Sequence, residues 1–199
     1  MILIEVNQVA TGVLPIAQLK SHLRLGSGFA EDSVQDDVVE SYLRAALATV
    51  EGRTGQAIFE REFVWSVEKW SNGEVQSFPL APVRAISSVT KVASDGTRET
   101  QDVAAYTFVE DVFAPKLKAL SGSLPEPPTD GKIEVQLVAG SAQSWTQVPS
   151  DLAQAVLLMA AHYYEYRNDL ALGKGCTPFG VTALLERYRP MRIGLGGRT

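Results

Sequence analysis

The spacing of apolar residues predicts a chain that is helical towards both ends and extended in its middle. From residue 33 to 55, apolar side chains recur with a period near 3.6 and fill two adjoining stripes, which predicts one long amphipathic helix. Ser33, with Asp36 three residues on, has the form of a capping box, and Gly55 suits the left-handed position after a helix. So wide an apolar face needs more than one neighbouring element.

Three other segments have helical spacing of their apolar residues. The first is a short helix of about three turns, with Pro15 in the tolerated first turn and an end before residues 26–28. The second runs from residue 149 to about residue 172, and the third from about 179 to 188, where Pro190 stops it. The chain therefore predicts about four helices.

Between the helices, the period of the apolar residues falls towards 2, the spacing of a β-strand. Phe63, Trp65 and Val67 alternate with their neighbours, and residues 132–139 form the clearest strand. Further strand candidates run from Val75 to Leu80, from Ile86 to Val92 and from Tyr106 to Val109. This pattern predicts a small antiparallel β module of five or six strands.

Turn residues separate these strands and complete the predicted organisation. Ser71-Asn72-Gly73 offers a hairpin turn, and residues 121–131, with three prolines and two glycines, must be a loop. The predicted fold class is α+β, a small helical bundle with an inserted antiparallel β module. Its predicted parts are a helical core at 14–57 and 148–189, the β module at 58–147 and a C-terminal tail at 190–199. Residues 1–13 could be an edge strand or an arm lying on another subunit.

Composition limits the classes of protein to which the chain can belong. With 199 residues and 45% hydrophobic content, it can bury a real core. A net charge of -5 argues against a protein whose main task is to grip phosphates, although a local basic patch remains compatible with it. One cysteine, no signal-peptide pattern and no run of about 18 apolar residues predict folding in a reducing cytosol without a membrane span.

Residues that could carry catalysis or bind a metal are few. His22 and His162 fall in different predicted helices, whereas a metal site needs three or four ligands, often in close pairs. Cys176 has no activating partner in the sequence, and no Gly-x-Ser-x-Gly motif occurs. We therefore expect no catalytic residue, no metal and no cofactor, and a protein that is not an enzyme.

The C-terminal region is basic in a chain that is acidic overall. Arginine, tyrosine and methionine are enriched in protein interfaces, and the region contains Arg187, Tyr188, Arg189, Met191, Arg192 and Arg198. These six residues are a candidate docking site for another protein.

Five short motifs occur in order along the chain. They are Leu19-Lys20-x-His22-Leu23-Arg24, Asp36-Asp37, Ala45-Ala46 with Val50-Glu51 and Thr54-Gly55, Pro149-x-Asp151-Leu152-x-x-Ala155, and Leu184-Leu185-x-x-Tyr188-Arg189. In order and spacing they resemble the head-to-tail connector (adaptor) family of long-tailed phages, prophages and gene transfer agents. The resemblance is closest to the branch with a β insertion between the helices, and it covers most of the chain.

The resemblance implies a structural role in the neck of a virion or gene-transfer particle, for a protein made in the bacterial cytoplasm. Copies would assemble into a ring, with twelve as the expected number, beneath the portal protein, and would link the capsid to the tail. The implied partners are the portal, through the six C-terminal residues named above, and a tail-side neck or stopper protein. DNA would pass through the channel as cargo only.

The long helix could supply the contacts between subunits in such a ring. One apolar stripe would serve its own core, and the other, with Val39, Leu43, Leu47 and Val50, would face a neighbouring subunit. Two other functions stay open. A soluble enzyme or ligand-binding domain would use a cleft between helices and β module, with clustered polar groups of shifted pKa. A DNA-binding protein would show strongly salt-dependent affinity for duplex DNA.

Overall fold

A computed structural model describes residues 1–25, 32–111, 113–167 and 177–188 of the chain, and it confirms an α+β fold. The helices are α1 (Ile16–His22), α2 (Asp32–Thr54), α3 (Ser150–Glu165) and α4 (Phe179–Leu185), which continues as a 3-10 turn at Glu186–Tyr188. The strands are β1 (Ile2–Glu5), β2 (Arg61–Val67), β3 (Val75–Ser77), β4 (Val83–Val92), β5 (Arg98–Gln101), β6 (Tyr106–Val109), β7 (Lys116–Ala119) and β8 (Lys132–Ala139).

Helix α2 is the centre of a helical cluster in which α1, α3 and α4 cover its apolar stripe. It begins one residue before the predicted Ser33 and ends as predicted, because Gly55 takes the left-handed conformation with φ 68°. Two aromatic residues of α3 reach α2. The ring of Tyr164 meets Tyr42 edge to face at 5.9 Å, and the Tyr163 hydroxyl lies 2.8 Å from Thr49 Oγ1.

The strands form two antiparallel sheets. The larger has the order β1-β2-β8-β4-β5 and the smaller the order β3-β7-β6. Alternation along β8 turns Ile133, Val135 and Leu137 towards a second apolar core, which also contains the fully buried Trp65. A strand with period 2 can bury only one face in this way, and the other face of the larger sheet carries polar and half-exposed side chains.

A glycine marks the place where the two apolar cores meet. Ile58, Phe59 and Ala142 belong to the helical core, although they flank the strands of the β module. Gly140, which ends β8, has φ 136°, and a Cβ atom there would lie 2.3 Å from the carbonyl oxygen of Phe59. Only glycine permits so close a crossing of two backbones.

Several sequence predictions about the strands need correction. Residues 71–73 do not form a hairpin turn, because β2 pairs with β1 and β8 whereas β3 pairs with β7 in the other sheet. Two strands, β5 and β7, were not predicted, because Arg98–Gln101 is wholly polar and Lys116–Ala119 has a single large apolar residue. Residues 2–5 form an edge strand, which is one of the two predictions for this segment.

Two helices are shorter than predicted. Helix α1 has seven residues, about two turns, because the chain leaves the helix at Leu23. Helix α3 ends at Glu165 instead of near residue 172, and its last free carbonyl groups are partly satisfied by the Tyr166 N–H, which donates to His162 O. Residues 168–176, which include Cys176, lie outside the described part of the chain.

Candidate interaction surfaces

The apolar stripe of α2 does not provide the predicted subunit interface. Val39, Leu43 and Val50 are fully buried and Leu47 is 5% exposed within a single chain, because α1, α3 and α4 cover them. This corrects the assignment of these four residues to a contact between subunits. The face of α2 that reaches the surface carries mostly short side chains, at Val38, Ser41, Ala45, Ala48 and Gly52.

The C-terminal end of the described chain is tied to the start of α3. The Tyr188 hydroxyl donates to Asp151 Oδ1 at 2.8 Å, and Arg187 Nη1 lies 3.1 Å from Asp151 Oδ2. Asp151 sits in the first turn of α3, where the helix dipole favours its negative charge, and it also accepts the Leu152 N–H. One carboxylate therefore holds both residues that end the described chain.

Burial, the hydrogen bond to Asp151 and the negative charge of Asp151 raise the pKa of Tyr188 to about 12. Tyr188 is 6% exposed and belongs to the helical core. Its side chain is therefore an anchor and is not available to a portal protein, which corrects its predicted role.

Arg187 differs from Tyr188 in its accessibility. Its side chain is 72% exposed, and its guanidinium lies 4.8 Å from the centre of the Tyr188 ring. It remains a candidate for docking. The other four predicted docking residues, Arg189, Met191, Arg192 and Arg198, lie outside the described residues.

An ion-pair cluster joins the helical part to the sheet. Arg61 of β2 binds Glu51 of α2 through Nη2 at 2.6 Å and Glu5 of β1 through Nε at 2.7 Å. Burial by itself lowers the pKa of Arg61, but the hydrogen bonds and charges of Glu51 and Glu5 outweigh burial and raise that pKa. Glu51 Oε1 also accepts the Ile58 N–H, so it helps to hold the link between helix and sheet.

A groove of about 330 Å³ lies between the end of α2 and the larger sheet, where an enzyme of this shape would have its cleft. Its lining is mostly apolar, and its two ionisable residues, Glu51 and Arg61, bind each other. Among the described residues, no three histidine, cysteine or acidic side chains come together as a metal site would need. The two charged side chains of the groove are therefore already engaged with each other. No described helix is long and apolar enough to span a bilayer.

Three solved structures match the whole of this chain and the whole of their own chains. A chain from the neck of an empty gene transfer agent (GTA) particle, computed with C6 symmetry, is 44% identical, with a TM-score of 0.87. A chain from the virion of a native GTA particle is 43% identical (TM-score 0.84), and one from the neck of a native GTA particle, computed with C12 symmetry, is 40% identical (TM-score 0.83). No protein-family model and no curated protein matches.

The chain belongs to the head-to-tail connector family. The resemblance found in the sequence motifs is thereby confirmed over the full length of the connector. Asp151 and Leu152 of the fourth motif and Leu185 and Tyr188 of the fifth lie together in the fold, because α4 packs on α3 and Tyr188 binds Asp151. These two motifs describe one structural contact.

Sequence reasoning missed three features of the connector's surface. In the sequence, Asp151 looks like an ordinary residue of a helix start. Its role as an anchor was missed because its partner, Tyr188, lies 37 positions farther along the chain. The Glu51–Arg61–Glu5 cluster joins three elements that no local pattern connects. The exposed apolar residues of β1 were visible in the sequence, but their accessibility was not.

Proposed function

We propose that this connector is a structural, non-enzymatic component of the neck of a GTA-like particle, where a ring of copies beneath the portal links the capsid to the tail. The observation that carries this proposal is the full-length match, at 44% identity and a TM-score of 0.87, to a chain in a GTA neck.

We expect the ring to contain twelve copies. The related necks were computed with C6 and with C12 symmetry, and a ring of twelve identical copies is compatible with both. In such a ring each copy contacts its two neighbours through two different surfaces. DNA would pass through the ring as cargo, and the net charge of -5 supports a wall that does not retain it.

The portal contact is assigned to Arg187 and to the basic residues that follow Tyr188. Arg187 is exposed at the point where the chain leaves the helical core. Residues 189–199 contain three arginines and no acid, so they favour an acidic partner surface. The opposite side of the ring would meet a tail-side neck or stopper protein.

Deletion of residues 189–199 tests the portal contact, and it retains Tyr188 because that side chain belongs to the core. We expect the free energy of unfolding to change by less than about 0.5 kcal/mol, as for other surface changes, while binding to purified portal is lost. The control is Arg53→Ala, which removes an exposed arginine that bonds Thr177 elsewhere on the surface, and it should bind as the parent does. A truncated chain that still binds the portal with parental affinity refutes the docking role.

Electron microscopy of particles made with a tagged connector tests the location. Tag density should appear at the neck, between capsid and tail. Particles whose neck contains no copy of the protein would refute the whole proposal, regardless of the oligomeric state of the isolated chain in solution.

A further inference from the structure

The apolar residues of β1 are exposed although they belong to a paired strand. Ile2 and Ile4 are 57% and 54% exposed, and Val6, just after the strand, is 45% exposed. In the antiparallel register Ile4 lies opposite Val64 and Ile2 opposite Ser66, while the Val6 N–H donates to the Glu62 carbonyl oxygen. These side chains therefore extend the outward face of the larger sheet, and we call Ile2, Ile4, Val6 and Glu62 the β1 patch.

The β1 patch is large and lies at a sheet edge that lacks the usual protection. Its three apolar side chains expose a surface on the order of 300 Å², which lies in the range of the largest patch on a typical soluble monomer. Edge strands are normally protected by charged side chains. The opposite edge strand, β5, carries Arg98 and Glu99, whereas the one charge of β1, Glu5, is bound by Arg61.

A second exposed apolar surface has the opposite charge. On the smaller sheet, Lys118 and Lys116 of β7 face outwards beside Val109 of β6, and Leu120 follows directly; Val109 is 45% and Leu120 63% exposed. We call these four residues the β7 patch. The nearby acids Glu110 and Asp111 lie in the turn after β6, where Asp111 accepts the N–H groups of Phe113 and Ala114.

The two patches are complementary in charge as well as in apolar character. Glu62 of the β1 patch and Lys118 of the β7 patch have no ionic partner among the described residues. A cyclic ring of identical copies needs two unlike, complementary surfaces on each copy. The apolar residues of the β1 patch alone would supply somewhat more than a third of the roughly 800 Å² that each partner buries in a stable interface.

We propose that the β1 patch of one copy docks on the β7 patch of the next copy, with Glu62 facing Lys118, and that this contact closes the ring. The inference rests on the proposed function, because it assigns the subunit contact of the proposed ring. It also moves the contact from α2, whose apolar stripe is filled within the chain, to the two sheets.

Charge reversal tests the pairing. Glu62→Lys and Lys118→Glu should each lower the number of connector copies in purified particles about tenfold, since like charges then meet across the contact. The double variant should recover to within about threefold of the parent, because the pair is restored with reversed sign. The matched control is Glu68→Lys, an exposed acid six residues farther along the same chain, about 20 Å away, which should have no effect.

Thiol cross-linking tests the same contact without relying on charge. In a Cys176→Ser background, Ile4→Cys and Leu120→Cys together should give an oxidised ladder of dimers, trimers and larger species in particles, whereas either single variant should give none. Rings that appear in the neck but form no ladder, or single charge reversals without effect, would overturn the inference and leave the proposed function intact. Parent copies absent from the neck would instead overturn the proposed function, and the inference with it.

Discussion

Helix α2 and strand β1 are both rich in aliphatic side chains, but the chain buries one set and exposes the other. In the 23-residue α2, Val39, Leu43 and Val50 are completely covered by helices of the same chain. In the four-residue β1, Ile2 and Ile4 remain more than half exposed. A long amphipathic helix can collect several neighbours, whereas a short edge strand has a single paired strand on one side.

The comparison shows that apolar periodicity predicts burial without saying in which molecule the burial occurs. Apolar area covered within one chain stabilises that chain, at about 25 cal/mol per Å². Apolar area left open at an edge adds nothing to the stability of the isolated chain and is available for association. The assignment of the subunit contact to α2 was therefore wrong for a physical reason, because its widest stripe serves the monomer.

The largest change in the free energy of unfolding is expected at Leu43, at the centre of the α2 stripe. Leu43→Ala should lower the free energy of unfolding by about 3 kcal/mol, because it leaves a cavity among fully packed side chains. Urea denaturation of the isolated chain measures it. The matched control on the same helix is Val38→Ala, whose side chain is 41% exposed and should cost less than about 1 kcal/mol. Equal losses for both would show that α2 is not held by its own chain.

The next effect concerns Glu51, which connects the two regions through Arg61. Glu51→Gln should lower the free energy of unfolding by about 2 kcal/mol, because a largely buried pair broken on one side leaves the Arg61 charge poorly compensated. Glu60→Gln is the control, since Glu60 is exposed and, among the described residues, its side chain bonds only Gln143, at 3.1 Å. A loss for Glu51→Gln no greater than for Glu60→Gln would mean that solvent already screens the cluster.

A smaller effect, dependent on pH, is expected at Tyr188. Tyr188→Phe should cost about 1 kcal/mol, because it removes the hydrogen bond to Asp151. The folded-state pKa of about 12 lies above the ordinary value of 10, so this stabilisation is complete below pH 10 and disappears as the pH rises towards 12. Paired denaturation curves for parent and variant measure the difference at each pH. A difference that persists unchanged at pH 12 would contradict the assigned role of the phenol proton.

The smallest effect on the isolated chain is expected in β1. Ile4→Ala should change the free energy of unfolding by only about 0.5 kcal/mol, as for other exposed positions. Sedimentation of the chain with purified portal should nevertheless show fewer assembled copies than for the parent. A loss of unfolding free energy as large as that of Leu43→Ala would show that Ile4 is packed in the monomer core, and that β1 does not differ from α2 in this respect.

Regular elements with strong periodicity were predictable from the sequence. The bounds of β6 and β8 agree with the prediction, since Ile133, Val135 and Leu137 alternate with polar residues. The end of α2 was also predictable, because Gly55 can take a positive φ at no steric cost. The local sequence pattern was sufficient in these cases, because the long-range contacts of the fold favour the same structure.

The features that the sequence did not predict depend on distant partners. The turn at residues 71–73 has hairpin residues, but β2 pairs with β8, some 70 positions away, and this long-range pairing decides the topology. Strand β5 has no apolar residue and exists because β4 offers it an edge. Likewise, the spacing of Leu43 and Val50 could not say that three helices of the same chain would cover them.

The hydrogen bond between Tyr188 and Asp151 also limits how far the C-terminal segment can reach. It fixes one end of the following segment at the first turn of α3, so residues 189–199 begin from a known point on the surface. Eleven residues span at most about 40 Å even when fully extended. Any group that Thr199 touches must therefore lie within about that distance of Tyr188.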